Sequence, residues 1–213
     1  LVLYNNQPGT VWGAAGEFVS APRLDDLACV FACAEGFLTA QERDMVPVLC
    51  VFDNEEIGSE TKQGAASVFL PETLAAISEA LGLSAADHRA LLADSMMLSC
   101  DNGHARHPNH PELADTNEAP VLNGGVVVKH SPRYATDGVS TAVFTELCRR
   151  AEVPVQHYAN RPDQMGGATL GNIADTKLPI PTVDIGMAQL AMHSCFETMG
   201  SRDVEAFVRA VRA

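Results

Sequence analysis

Apolar and polar positions fall along this chain in blocks of two different periods. Residues 24 to about 42, rich in Ala, Leu and Phe, repeat their apolar positions at helical spacing. Residues 47–52 are a short apolar, β-branched run that turns abruptly polar at Asp53-Asn54-Glu55-Glu56, the pattern of a buried strand ending in a functional loop. A helix is predicted from about residue 63 to 81, where Pro71 starts a new helix or kinks the old one and Gly82 stops it. Residues 95–100 repeat the earlier grammar, an apolar strand running directly into Asp101. Further strands are predicted at 125–130, 153–158 and 181–185, and helices at 137–151 and 201–212, the last amphipathic and opening near Asp203. Residues 1–5 read as the middle of a strand, and a chain that opens there without Met is expected to be a fragment or a processed product. Strands alternating with helices predict an α/β sandwich whose functional residues gather at the C-terminal ends of strands.

Between these blocks lie segments too polar to build core. Residues 102–125 are rich in His, Pro, Asn and Gly and read as a long loop of the kind that often carries function. The stretch Met165-Gly166-Gly167-Ala168-Thr169-Leu170-Gly171 has neither a Walker lysine nor Rossmann glycine spacing, so it reads as a loop entering a helix. Its glycines permit close backbone approach beside a pocket, or only supply turn conformations. A polar loop is expected to lead from residue 185 to His193.

Composition narrows the function classes. Hydrophobic residues make up 46% of the 213 positions and charged residues 19%, which is the balance of a globular protein and not of a disordered tail. A formal net charge of −13 argues against nucleic-acid or anionic-membrane surfaces, while it suits divalent cations. An acidic substrate would need local Lys or Arg to reverse that field. Cys29, Cys33, Cys50, Cys100, Cys148 and Cys195 have no C-x-x-C spacing and are expected to be reduced thiols in a cytoplasmic protein. No apolar run approaches the roughly 20 residues that a bilayer span needs.

The candidate chemistry rests on Asp25, Glu55, Glu56, Asp101 and His193, each of which follows or interrupts an apolar element. Any one of them alone reads as a cap, a turn or a structural side chain. Together they are more demanding, because four carboxylates converging on one site repel each other unless cations are present. Carboxylate oxygens with imidazole suit zinc, and also manganese or cobalt, in an open hydrolytic site. The adjacent pair Glu55-Glu56 can divide its roles, one side chain holding metal and the other acting as general base toward water.

Four ordered strings carry a family resemblance: Ser20-Ala21-Pro22-Arg23-Leu24-Asp25-Asp26-Leu27, Phe52-Asp53-Asn54-Glu55-Glu56-Ile57-Gly58-Ser59-Glu60, Cys100-Asp101-Asn102-Gly103-His104-Ala105-Arg106-His107-Pro108-Asn109 and Gln189-Leu190-Ala191-Met192-His193-Ser194. They closely resemble aspartyl aminopeptidases, a family of binuclear zinc aminopeptidases, over nearly the whole chain. The resemblance implies a three-layer α/β sandwich with a mostly parallel central sheet, of the phosphorylase/hydrolase-like metallopeptidase type. It implies Asp25 as the carboxylate bridging two metal ions, Glu56 and His193 as ligands of one, Asp101 as a ligand of the other, and Glu55 as the base. The ions would be Zn2+, with Mn2+ or Co2+ as alternatives.

Val128-Lys129-His130-Ser131-Pro132-Arg133-Tyr134-Ala135 resembles the family's substrate-pocket segment, which makes Lys129 and Tyr134 substrate-binding candidates, with His104 beside Asp101 to polarise or orient the substrate. Read without the family, Lys129 is also a solvated strand end and His104 a loop hydrogen-bonder. Two departures stand out. Asp26 replaces the Asn of the family's usual Arg-Leu-Asp-Asn, and the 213 residues contain neither the H-x-D motif that supplies the family's remaining histidine ligand nor its inserted dimerisation domain. The chain is therefore expected to correspond to the C-terminal catalytic segment. The implied function is hydrolysis of N-terminal residues, preferably Asp or Glu, from peptides by a cytoplasmic homo-oligomer, commonly a dodecamer. A catalytically silent scaffold or assembly module is the alternative, and a carboxypeptidase or deacylase keeps the same metal chemistry.

Overall fold

A computed structural model describes every residue except Val2, Glu42, Arg43, Asp44 and Met165. In chain order the first elements are β1 (Thr10–Trp12), β2 (Phe18–Ala21), α1 (Leu24–Thr39), α2 (Phe69–Ala80), α3 (Ala85–Ala93), β3 (Met97–Cys100) and β4 (Gly103–His104). Then come β5 (Val126–His130), α4 (Gly138–Arg150), β6 (Val155–Ala159), α5 (Leu170–Asp175), β7 (Thr182–Gly186), β8 (Ala188–Leu190), β9 (Glu197–Gly200) and α6 (Ser201–Arg212).

The strands form two sheets. A four-stranded sheet runs β3-β7-β5-β6, with β3/β7 and β5/β6 parallel and β5/β7 antiparallel. Side-chain alternation along these strands divides the core. Leu98, Cys100, Val126, Val128, Val183 and Ile185 face α1, α4 and α6, where Cys29, Ala32, Cys33, Phe144, Cys148, Phe207 and Ala210 complete the main cluster. Met97 faces the other way and packs with Leu70 of α2, Leu178 and Ile180. Helix α5 lies on this second face against β3 and β7. Helices, sheet and helices thus make the expected α/β layers, with two of the three pairings in this sheet parallel.

The helices form where the pattern requires it. Ser140, Phe144 and Cys148 of α4 recur every fourth residue on the buried side, and Asp137 caps the helix by accepting from the Ser140 N–H at 2.7 Å. On α6, Phe207 and Ala210 are buried and Val204, Val208 and Val211 pack beside them. Gly36 lets α1 approach α6 closely, since a Cβ there would meet Val211 Cγ1 at 2.9 Å and the Val208 carbonyl oxygen at 3.2 Å. Gly82, at φ 76°, ends the second helical stretch as the sequence predicts.

The second sheet, ordered β1-β2-β9-β8-β4, is antiparallel apart from its β8/β4 pair. Hydrophobic periodicity does not reveal it, because its strands are only two to four residues long. Further expectations change, among them the helix predicted from about residue 63, which begins only at Phe69. The described residues of 1–5 are not strand. Residues 47–52 are not strand either: Val48 and Val51 are exposed, and no strand pairs with the run among the described residues. The segment before His193, read as a polar loop, contains buried β8. The helix predicted to run to about Glu42 closes at Thr39, and Glu42 lies outside the described residues, as does Met165 of the glycine-rich stretch.

Candidate metal centre

Each sheet contributes one side of a cleft of about 680 Å³ lined by Asp25, Glu55, Glu56, Asp101, His104, Lys129, Tyr134 and His193. Asp101 leaves the end of β3, as a strand-end site predicts. Lys129 points in from β5, and Tyr134 lies on the loop that follows it. Asp25, in the first turn of α1, and His193 are carried beside strands of the unforeseen second sheet. Asp25 sits just past β2, and His193 lies in the β8–β9 loop. Glu55 and Glu56 occupy a single 3₁₀ turn, Glu55–Ile57, which separates the two side chains.

The distances bring three of these groups to one point. His193 Nε2 lies 3.2 Å from Asp25 Oδ2 and 3.1 Å from Glu56 Oε2. One imidazole nitrogen carries at most one proton, so it cannot donate fully to both carboxylates. All three groups are aimed where a cation would sit. Asp25, Asp26 and Asp101 form a second cluster that shares Asp25, with one oxygen from each within 4.8 Å of the others. Asp25 Oδ1 is buried and has no hydrogen-bond partner. A buried carboxylate oxygen without a donor is costly, and the carboxylate–imidazole set is the donor chemistry that zinc, manganese or cobalt accepts. The residues present therefore fit divalent metal.

The electrostatics reflect the same crowding. Burial, with the charges of Asp101, Glu56 and Glu197, raises the Asp25 carboxyl far above the usual carboxylate range. Burial and the charges of Asp101 and Asp25 do the same to Asp26. Glu55 is pushed up to about 7 by burial and by Asp101 and Glu56. Lys129 offsets part of this charge. Its ammonium, on a side chain only 2% exposed, donates to Asp101 Oδ2 at 2.8 Å and to the Asn102 carbonyl at 3.0 Å. Burial works against that charge, but Asp101 and Tyr134 outweigh it and hold the ammonium above its ordinary range. The same ammonium lies 5.6 Å from the centre of the Tyr134 ring. Burial, His193 and Lys129 hold the His104 imidazole below its usual value.

Several supporting residues are assigned no role by the sequence. Asn102 donates through Nδ2 to the Leu24 carbonyl at 3.0 Å and to Gln189 Oε1 at 2.8 Å, while its own N–H reaches Asp26 Oδ1 at 3.1 Å. Fully buried Asp184 accepts from Ser99 Oγ, Thr169 Oγ1 and the Ala135 N–H, tying the loop that carries Tyr134 to the glycine-rich entry of α5. Gly166 approaches Asn160 too closely to tolerate a Cβ, whereas Gly167 has open space around it.

The family model for aminopeptidase I zinc metalloproteases (M18) matches residues 1–213. The chain belongs to the M18 aminopeptidase family. A probable M18 family aminopeptidase 2 of Mycobacterium leprae is 41% identical over 215 residues, covering 100% of this chain and 50% of that protein. The crystal structure of prApe1 superimposes with a TM-score of 0.93 at 35% identity, over 98% of this chain and 46% of that one. The S. cerevisiae mApe1 dodecamer gives a TM-score of 0.86 at 33% identity, over 98% of this chain and 48% of that one. The chain thus spans about half the length of the relatives it matches. This M18 family is one of zinc-dependent hydrolases, in keeping with the donor set of the cleft. No helix among the described residues is long and apolar enough to cross a membrane.

Proposed function

We propose that this chain carries the metal-binding and proton-transfer residues of an aminopeptidase that hydrolyses N-terminal residues, preferably Asp or Glu, from peptides. The observation that carries the reading is the convergence of Asp25, Glu56 and His193 on one point, with Asp25 Oδ1 buried and unpartnered beside it. Asp25, Glu56 and His193 would hold one divalent ion, and Asp25 with Asp101 a second, most naturally zinc. Such ions supply Lewis acidity toward the scissile carbonyl and acidify water.

Glu55 is the base. It lines the cleft without belonging to either cluster, and burial, which raises its carboxyl, suits it to taking a proton near neutral pH and returning it to the leaving amine. Lys129 uses two of its three N–H groups on Asp101 and Asn102, which leaves one for an acidic substrate side chain, with His104 and Tyr134 along the same wall.

The rest of the reading concerns the whole protein. The remaining metal ligand is proposed to come from outside these 213 residues, which act as the C-terminal catalytic segment. Assembly into a homo-oligomer follows the named mApe1 dodecamer. A cytoplasmic location agrees with six free cysteines.

A zinc-supplemented assay of the chain with free and N-acetylated Asp, Glu, Ala and Leu peptides tests the proposal. Cleavage of free Asp and Glu peptides alone supports it. Release of C-terminal residues or acyl groups would move the chain to carboxypeptidase or deacylase chemistry. Zinc binding without any turnover would favour a silent scaffold.

A further inference from the structure

Glu197 opens β9 opposite Ala21 of β2, and it is 2% exposed. Its carboxylate spans the two backbones that carry metal-directed side chains. Oε2 accepts from the Asp25 N–H at 2.9 Å, and Oε1 accepts from the His193 N–H at 2.7 Å. His193 is held at φ 65° and Ala191 at φ 57°, a left-handed conformation that non-glycine residues adopt at a cost. The loop therefore needs a tether to keep the imidazole 3.2 Å from Asp25. Rigid strand pairing fixes Glu197 itself, and next to it Ser20 Oγ and Thr198 Oγ1 bond across β2 and β9 at 2.7 Å.

We propose that Glu197 is a positioning residue for the metal centre: its two oxygens set Asp25 and His193 at the spacing a shared cation requires. This rests on the metal-binding reading above. A glutamine at the position keeps the volume but offers one acceptor and one NH2 group, so either the Asp25 or the His193 amide would face a donor in place of an acceptor.

The test titrates zinc ion alone into the 213-residue chain by calorimetry, using wild type, Glu197→Gln and Asp203→Asn. Asp203 is a matched control, because its carboxylate is also buried and accepts two backbone N–H groups, from Asn123 at 2.7 Å and Gly125 at 2.9 Å, outside the cleft lining. Glu197→Gln is expected to lower zinc affinity roughly 10- to 100-fold, as loss of supporting hydrogen bonds around metal ligands does. Asp203→Asn should bind as wild type does. Wild-type affinity in Glu197→Gln, or an equal loss in both variants, would overturn the proposal. If Glu197→Gln does not fold, amide hydrogen exchange on the metal-free wild type decides. The Asp25 and His193 amides should both be protected, and free exchange of either would refute the tether. Absence of zinc binding by the wild type would instead refute the metal reading itself.

Discussion

Replacing Asp184 by alanine should damage both stability and substrate handling, and the size of the effect follows from what its carboxylate holds. Its oxygens accept from Ser99 Oγ at 2.6 Å, from Thr169 Oγ1 at 2.7 Å and from the Ala135 N–H at 2.6 Å. Asp184, Ser99 and Thr169 are all buried, so water cannot take over. Leaving a buried donor unsatisfied costs about 1–3 kcal/mol, and the two buried hydroxyls at the low end, with the half-buried Ala135 N–H besides, give a loss of at least about 2 kcal/mol for Asp184→Ala. Asparagine should be milder, at about 1–2 kcal/mol, because its carbonyl can keep the Ala135 N–H and its NH2 can donate to a hydroxyl oxygen. Urea unfolding followed by circular dichroism reads both values, provided the slope is unchanged. An alanine variant within about 1 kcal/mol of wild type would refute the reasoning. So would an asparagine variant as damaged as the alanine one. In the active protein, Asp184→Ala should raise KM more than it lowers kcat, since it releases the Ala135 N–H that positions the Tyr134 loop and not Glu55.

Three further outcomes are expected. Asp25 holds its proton to unusually high pH in the metal-free chain, and metal binding must displace it. Apparent zinc affinity should therefore rise with pH up to about 8, by up to about tenfold per pH unit for each proton released, with the release visible in calorimetry across buffers of different ionisation heat; a flat profile would contradict this. Gly36→Leu should destabilise the chain by about 1–3 kcal/mol or more, because α6 leaves no space for a side chain there, and an unchanged melting temperature would argue against the α1–α6 contact. Ser84→Ala removes the acceptor of the Asp87 N–H and breaks the capping box of α3, so unfolding should show a loss of about 1 kcal/mol.

Much of this molecule was legible in its sequence wherever an element was long enough to express a period. Helix α6 runs over the predicted residues, and β3, β5 and β7 fall within or beside their predicted runs, because four to twelve residues carry a clear hydrophobic rhythm. The second sheet was not legible. Its strands have two to four residues and lack a continuous apolar run, and pairings such as Ala21 with Glu197 join residues far apart in the chain. Residues 47–52 misled for the opposite reason: their composition is that of a buried strand, yet no described strand pairs with them. The acids and His193 were found from family-like strings and from the need for a cation among converging charges. Glu197 and Asp184 lie outside the family-like strings, and Asn102 lies inside one without an assigned role; all three act through hydrogen bonds that only the three-dimensional contacts reveal.

The central claim is that Asp25, Glu56, Asp101 and His193 hold metal while Glu55 works beside it as the base. Zinc titration of wild type, Glu55→Gln, Glu56→Gln and His193→Ala by calorimetry, each checked for turnover of an N-terminal Asp peptide, tests it most directly. The account predicts zinc at the Asp25–Glu56–His193 point in the wild type, its loss in Glu56→Gln and His193→Ala, and wild-type zinc binding without turnover in Glu55→Gln. A wild-type chain that binds no zinc, or a Glu55→Gln variant that loses metal while Glu56→Gln keeps it, would contradict the account.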